Sequence, residues 1–88
     1  MKDRKTELFV ILQEESAEVV QAVSKTFRFG ETPRNIKELE TEIGDFLGVL
    51  KLLIEEGHLD PIALEKAGDA KIKKLEKYMT NQKDQRGE

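Results

Sequence analysis

The sequence predicts an all-α chain built from three helices. Apolar residues recur at steps of three and four in three successive segments. Stretches bearing glycine and proline separate those segments. No stretch shows the two-residue alternation of a half-buried strand. With 88 residues the chain makes one domain at most. So short a chain buries a modest core, and without cysteine it has neither a disulfide nor a thiolate metal site to reinforce it.

The first helix is expected from Thr6 to Phe27, where Leu8, Ile11, Leu12, Val19 and Ala22 share one face. Gly30 and Pro33 mark the loop that follows. The second helix is expected to start near Asn35. Asn35 and Glu38 have capping-box spacing, and Pro33 lies just upstream. Its apolar positions are Leu39, Ile43, Phe46, Leu50 and Leu53, and Gly57 suits its C-terminal cap. Asp60 is placed to cap a third helix, with Pro61 in the first helical position. Leu64, Ala67, Leu75 and Tyr78 form its face. Residues 80–88 carry no periodicity and are expected to be a flexible C-terminal tail.

Charge and hydropathy exclude some functions. The net charge of −3 is spread along the chain in both signs, so there is no basic footprint for a nucleic acid. No apolar run approaches the roughly 20 residues that span a bilayer. The start, MKDRKTELF, lacks the apolar region of a signal peptide, and a cytoplasmic location is the expectation.

Four acidic residues carry the chemical signal: Glu15 and Glu18 on the first helix, Glu42 and Asp45 on the second. At about 100° per residue, Glu15 is centred on the apolar stripe of its helix and Glu18 lies about 60° to one side, inside the edge of the stripe. Glu14 flanks the stripe on that same side. Glu42 lies among the apolar positions of the second helix, and Asp45 about 60° further out. If a short loop folds the two helices antiparallel, both pairs face one point. Ionised carboxylates in an apolar setting are costly unless a cation accompanies them. Oxygen donors without cysteine suit a hard cation, Mg2+ first and Mn2+ as a substitute. Mg2+ is commonly completed by substrate phosphates, which points to phosphate-ester or anhydride chemistry. A solvated acidic face, or a network contacting a basic partner in a non-enzymatic helical interaction module, is the bland alternative. A ferritin-like di-iron site is disfavoured, because its E-x-x-H ligands are missing.

The opposite side of the first helix carries Phe9, Val10, Ala17, Val20, Ser24 and Phe27, all apolar or small. A helix apolar nearly all round is buried on more than one side. A symmetric homodimer follows as the expectation, its paired antiparallel hairpins forming a four-helix-bundle core, with a homotetramer as the doubled form.

The run Glu14-Glu15-Ser16-Ala17-Glu18 matches E-E-x-x-E, and Glu42-Ile43-Gly44-Asp45 matches E-x-x-D. With the flanks AEVVQAVSKTFRFG and FLGVLKLL, the sequence resembles the MazG-like all-α nucleoside triphosphate pyrophosphohydrolases. The resemblance makes residues 1–79 a MazG-like domain. It implies Mg2+-dependent cleavage between the α and β phosphates of a nucleoside triphosphate, releasing a monophosphate and pyrophosphate. It implies Glu15, Glu18, Glu42 and Asp45 as metal ligands, and Glu14 beside Glu15 as the catalytic group that orients the water. Deoxynucleotides such as dCTP or dGTP, and modified ones, are candidate substrates. A phosphoribosyl-ATP pyrophosphohydrolase is the related alternative.

Cations near such a site would meet the rest of the triphosphate charge. Lys71 lies on the apolar stripe of the third helix and Lys74 about 60° to one side. Snorkelling explains Lys71 without a ligand; the resemblance makes both lysines phosphate-binding. Lys25 and Arg28 end the first helix on the side of Glu14 and Glu18. They serve either to reach substrate or to complement the helix dipole. Asn35 is either the helix cap or a nucleotide contact.

Overall fold

A computed structural model describes residues 3–81. They form three helices and no strand: α1 (Arg4–Phe29), α2 (Pro33–Glu55) and α3 (Pro61–Tyr78). The all-α expectation holds. The expected tail over residues 80–88 lies, from residue 82 onward, outside the described residues. No described helix is long and apolar enough to cross a membrane.

The chain divides into two compact units, one ending at His58 and the other beginning at Leu59. In the first unit α1 and α2 pack as an antiparallel hairpin. The start of α1 meets the end of α2 where Arg4 donates to both oxygens of Glu56, at 2.7–2.8 Å. At the opposite end Lys25 meets Glu38. Leu8, Ala22 and Leu53 form the buried core of this hairpin, with Leu53 fully enclosed. Leu12, Val19, Leu39, Phe46 and Leu50 are half-buried around it.

The caps explain the helix ends. Asp3 caps α1, its side chain accepting from the Thr6 N–H at 2.8 Å, so the helix starts before the expected Thr6. The expectation that Asn35 caps α2 is corrected. Thr32 is the cap, with its hydroxyl accepting from the Asn35 N–H at 3.1 Å, and Pro33 takes the first helical position. Proline's fixed φ and missing N–H suit that position, so the helix starts two residues before Asn35. No capping box between Asn35 and Glu38 forms. The Asn35 side chain instead donates to the Gly30 carbonyl at 2.9 Å, tying the end of α1 to the start of α2.

The C-terminus of α2 closes as a Schellman motif. Gly57 has φ +79° and donates to Ile54, while His58 donates to Leu53. Gly57 therefore sits just past the cap, where a left-handed backbone is required. The second unit contains α3, which starts as expected: Asp60 caps it by accepting from the Ile62 N–H at 3.0 Å, and Pro61 follows.

Candidate metal centre

The hairpin brings Glu15 of α1 together with Glu42 and Asp45 of α2. One carboxylate oxygen from each lies within 4.8 Å of the others. The helical repeat places them there. Glu15 sits on the inward stripe of α1, and Glu42 and Asp45 sit three apart on one side of α2. Glu15 and Glu42 are half-buried; Asp45 is exposed.

Glu18 departs from the expectation of a stripe position. It is exposed and stands outside this three-oxygen group. About 60° from the centre of a two-helix contact is already its rim. Its charge is nonetheless felt at the centre. The Glu42 carboxyl is held above its ordinary value of 4.5, first by partial burial, then by the charge of Glu18, and further by Asp45, Glu15 and Glu38.

None of Glu15, Glu18, Glu42 and Asp45 pairs with a basic side chain among the described residues. The ion pairs there join Arg4 to Glu56 and Lys25 to Glu38. Converging carboxylates with no protein cation are the setting that a bound divalent ion neutralises. The donor set is all oxygen, which fits a hard cation such as Mg2+ or Mn2+. His58, at the far end of α2, faces Glu56 at 4.0 Å and does not belong to the group.

The remaining candidates are dispersed. Glu14 is exposed and has no hydrogen bond or ion pair among the described residues. Lys25 is half-buried, and its ammonium donates to Glu38 at 2.6 Å. Arg28 is exposed and lies over the Phe29 ring, 5.1 Å from its centroid. Asn35 is half-buried and engaged with Gly30 as described. Lys71 and Lys74 belong to the second unit, and both are exposed on α3, where no residue is buried. An apolar stripe does not place Lys71 in a core, because nothing on α3 is enclosed.

Sequence reasoning gave Glu38 no part in the site. The signal was available, because Glu38 precedes Glu42 by four residues and so lies one turn away on the same side. The opposite side of the hairpin is chemically different. Ser16, Val19, Ile43 and Phe46 line an open, almost wholly apolar groove of about 300 Å³. Ser16 lies about 160° around α1 from Glu18, so this groove is not on the acidic side. The Ser16 hydroxyl is already turned to the Leu12 carbonyl, at 2.8 Å.

The profile of the MazG nucleotide pyrophosphohydrolase domain matches residues 4–81. No curated protein matches, and no solved structure matches.

Proposed function

The chain belongs to the MazG nucleotide pyrophosphohydrolase family, and from that premise we propose that it is a Mg2+-dependent nucleoside triphosphate pyrophosphohydrolase. The proposed reaction breaks the bridge between the α and β phosphates of a nucleoside triphosphate, a deoxynucleotide by preference. Water adds to one phosphorus, the bridging P–O bond breaks, and a nucleoside monophosphate and pyrophosphate are released. The observation that carries the reading is the uncompensated convergence of Glu15, Glu42 and Asp45 within 4.8 Å.

In this reading Glu15, Glu42 and Asp45 hold a divalent ion, and Glu18 completes the acidic surround. Mn2+ is a substitute. When bound, the ion supplies Lewis-acid stabilisation of charge on the phosphates. Glu14, exposed beside Glu15, orients the attacking water and accepts its proton. Lys25, Arg28 and Asn35 contact the nucleotide from the end of the hairpin where α1 passes into α2. Lys71 and Lys74 remain phosphate-binding candidates on sequence resemblance alone. The proposal also takes the chain to be a cytoplasmic homodimer, or homotetramer, assembled through apolar side chains exposed on α1 and α2. Val20 is 65% exposed, Phe27 86% and Leu47 55%.

The test is incubation of purified protein with a panel of nucleoside triphosphates and Mg2+, resolving monophosphate, diphosphate, pyrophosphate and phosphate. The expected products are monophosphate and pyrophosphate in equal amounts. Diphosphate and phosphate, or no product at all, would sink the reading.

A further inference from the structure

We propose that Glu38 is a positioning residue: it holds the Lys25 ammonium at the rim of the acidic centre, ready to receive a phosphate of the substrate. The inference rests on the function proposed above.

The geometry has three parts. Lys25 donates to Glu38 at 2.6 Å across the hairpin, a short charge-assisted bond. Both groups lie on the acidic side of their helices. Lys25 stands seven residues, about two turns, beyond Glu18 on α1. Glu38 stands four residues, about one turn, before Glu42 on α2. The pair is thus displaced from the three-carboxylate group toward the end of the hairpin where α1 passes into α2.

Stability alone is a weak reason for this pair. The side chains are 45% and 36% exposed, and ion pairs so accessible to water contribute little. Holding the long lysine chain in one conformation also costs entropy. The chemistry of the ammonium supplies a better reason. It has three donors, and among the described residues Glu38 is its one partner, so two remain for an anion. On the same side of the hairpin, Glu18 stands about two turns from Lys25 along α1, and Glu42 about one turn from Glu38 along α2. An ammonium drawn to them would compete with the divalent ion and turn away from the phosphates. Glu38 gives Lys25 a carboxylate of its own, outside the metal-binding group.

A charge swap separates this role from a structural one. Kinetics with dATP, dCTP, dGTP and dTTP under saturating Mg2+ would be compared for wild type, Glu38→Gln, Glu38→Asp and the double variant Lys25→Glu/Glu38→Lys. Glu38→Gln should raise KM about fivefold or more, the scale of weakening one charge-assisted phosphate contact, with kcat changed less than KM. Glu38→Asp should recover part of that loss. The double variant should melt at the wild-type temperature, because the ion pair is rebuilt. Its KM should stay raised, because the cation now stands on the wrong helix. A double variant with wild-type KM, or Glu38→Gln with unchanged KM, overturns the inference while leaving the proposed function intact. A wild-type protein that turns over neither these four nor any ribonucleoside or modified nucleoside triphosphate of a wider panel overturns the proposed function, and this inference with it.

Discussion

At the scale of single residues, Glu42 concentrates the conflict that the site is built around. It is half-buried, and its neighbours Glu18, Asp45, Glu15 and Glu38 are all acidic. Its proton affinity is accordingly higher in the folded chain than the ordinary 4.5, through burial first and like charges next. The sign of the stability effect follows. In the pH range between 4.5 and the raised folded value, the folded state binds more protons than the unfolded one. Metal-free stability should therefore fall as pH rises through that range, and be regained on acidification back toward 4.5. Glu56 and Asp3 run the other way: Arg4 holds Glu56 low, and the Thr6 hydrogen bonds hold Asp3 low. Their contributions are present above the ordinary carboxylate value and are lost as pH falls below it. Urea unfolding in the presence of a chelator, at pH values from neutral down to mildly acidic, would show the rise in stability for wild type. Glu42→Gln should flatten that rise, since it removes the titrating group while keeping the shape. The same variant should leave the helical content intact, abolish turnover and lose the rise in melting temperature with Mg2+ that is expected of the wild type. A Glu42→Gln protein that keeps both the pH trend and the Mg2+ response would show that the strain resides elsewhere.

At the scale of helices, local chemistry at the ends explains why the hairpin has this register. Thr32 satisfies an otherwise unpaired N–H of α2. Thr32→Ala should therefore cost about 1 kcal/mol of stability, read from denaturant unfolding. Gly57 tests a different term of the backbone. Its φ of +79° is left-handed, and a Cβ there would meet nothing within 4 Å. The cost of Gly57→Ala, about 1 kcal/mol, would be conformational rather than steric. These ends also show what the chain reveals before folding. The Asp60-Pro61 start of α3 and the Gly57 end of α2 were legible, because each depends on residues adjacent in sequence. The Thr32 cap was not. Asn35 and Glu38 offered a competing start with the right spacing, and only proline's fit at the first position decides between them. The Glu15, Glu42 and Asp45 convergence was legible from helical periodicity combined with an antiparallel hairpin. The exposure of Glu18 was not, because a wheel gives direction but not how far the partner helix extends over the stripe. The Lys25–Glu38 bond was hidden for a related reason: it depends on the axial register between the two helices, which neither helix carries alone.

At the scale of the whole molecule, the described core is small for the apolar surface that remains. Leu8, Ala22 and Leu53 are buried, and Leu53→Ala should cost about 2–5 kcal/mol through lost burial and a residual cavity. Phe9, Val20, Val23 and Phe27 of α1, with Ile43 and Leu47 of α2, remain exposed on the side of the hairpin that carries the apolar groove. Large exposed apolar patches mark association surfaces. Sedimentation of the purified chain should therefore give a dimer or tetramer, and Phe27→Glu or Leu47→Glu should shift it toward monomer. A monomeric wild type at micromolar concentration would contradict this. Assembly by that side leaves the acidic side of Glu14, Glu18 and Asp45 for the nucleotide. In the proposed dimer the two sides would divide the work of the hairpin between cohesion and chemistry. If the acidic side is a divalent-ion site for cutting nucleoside triphosphates, as proposed, catalysis must depend on the ion. The most direct measurement is product analysis of the wild-type protein with deoxynucleoside triphosphates, with Mg2+ and with chelator. Monophosphate and pyrophosphate formed in equal amounts only when Mg2+ is present would bear the account out. Turnover that persists in chelator, or an ordered protein that binds Mg2+ and releases no pyrophosphate, would contradict it.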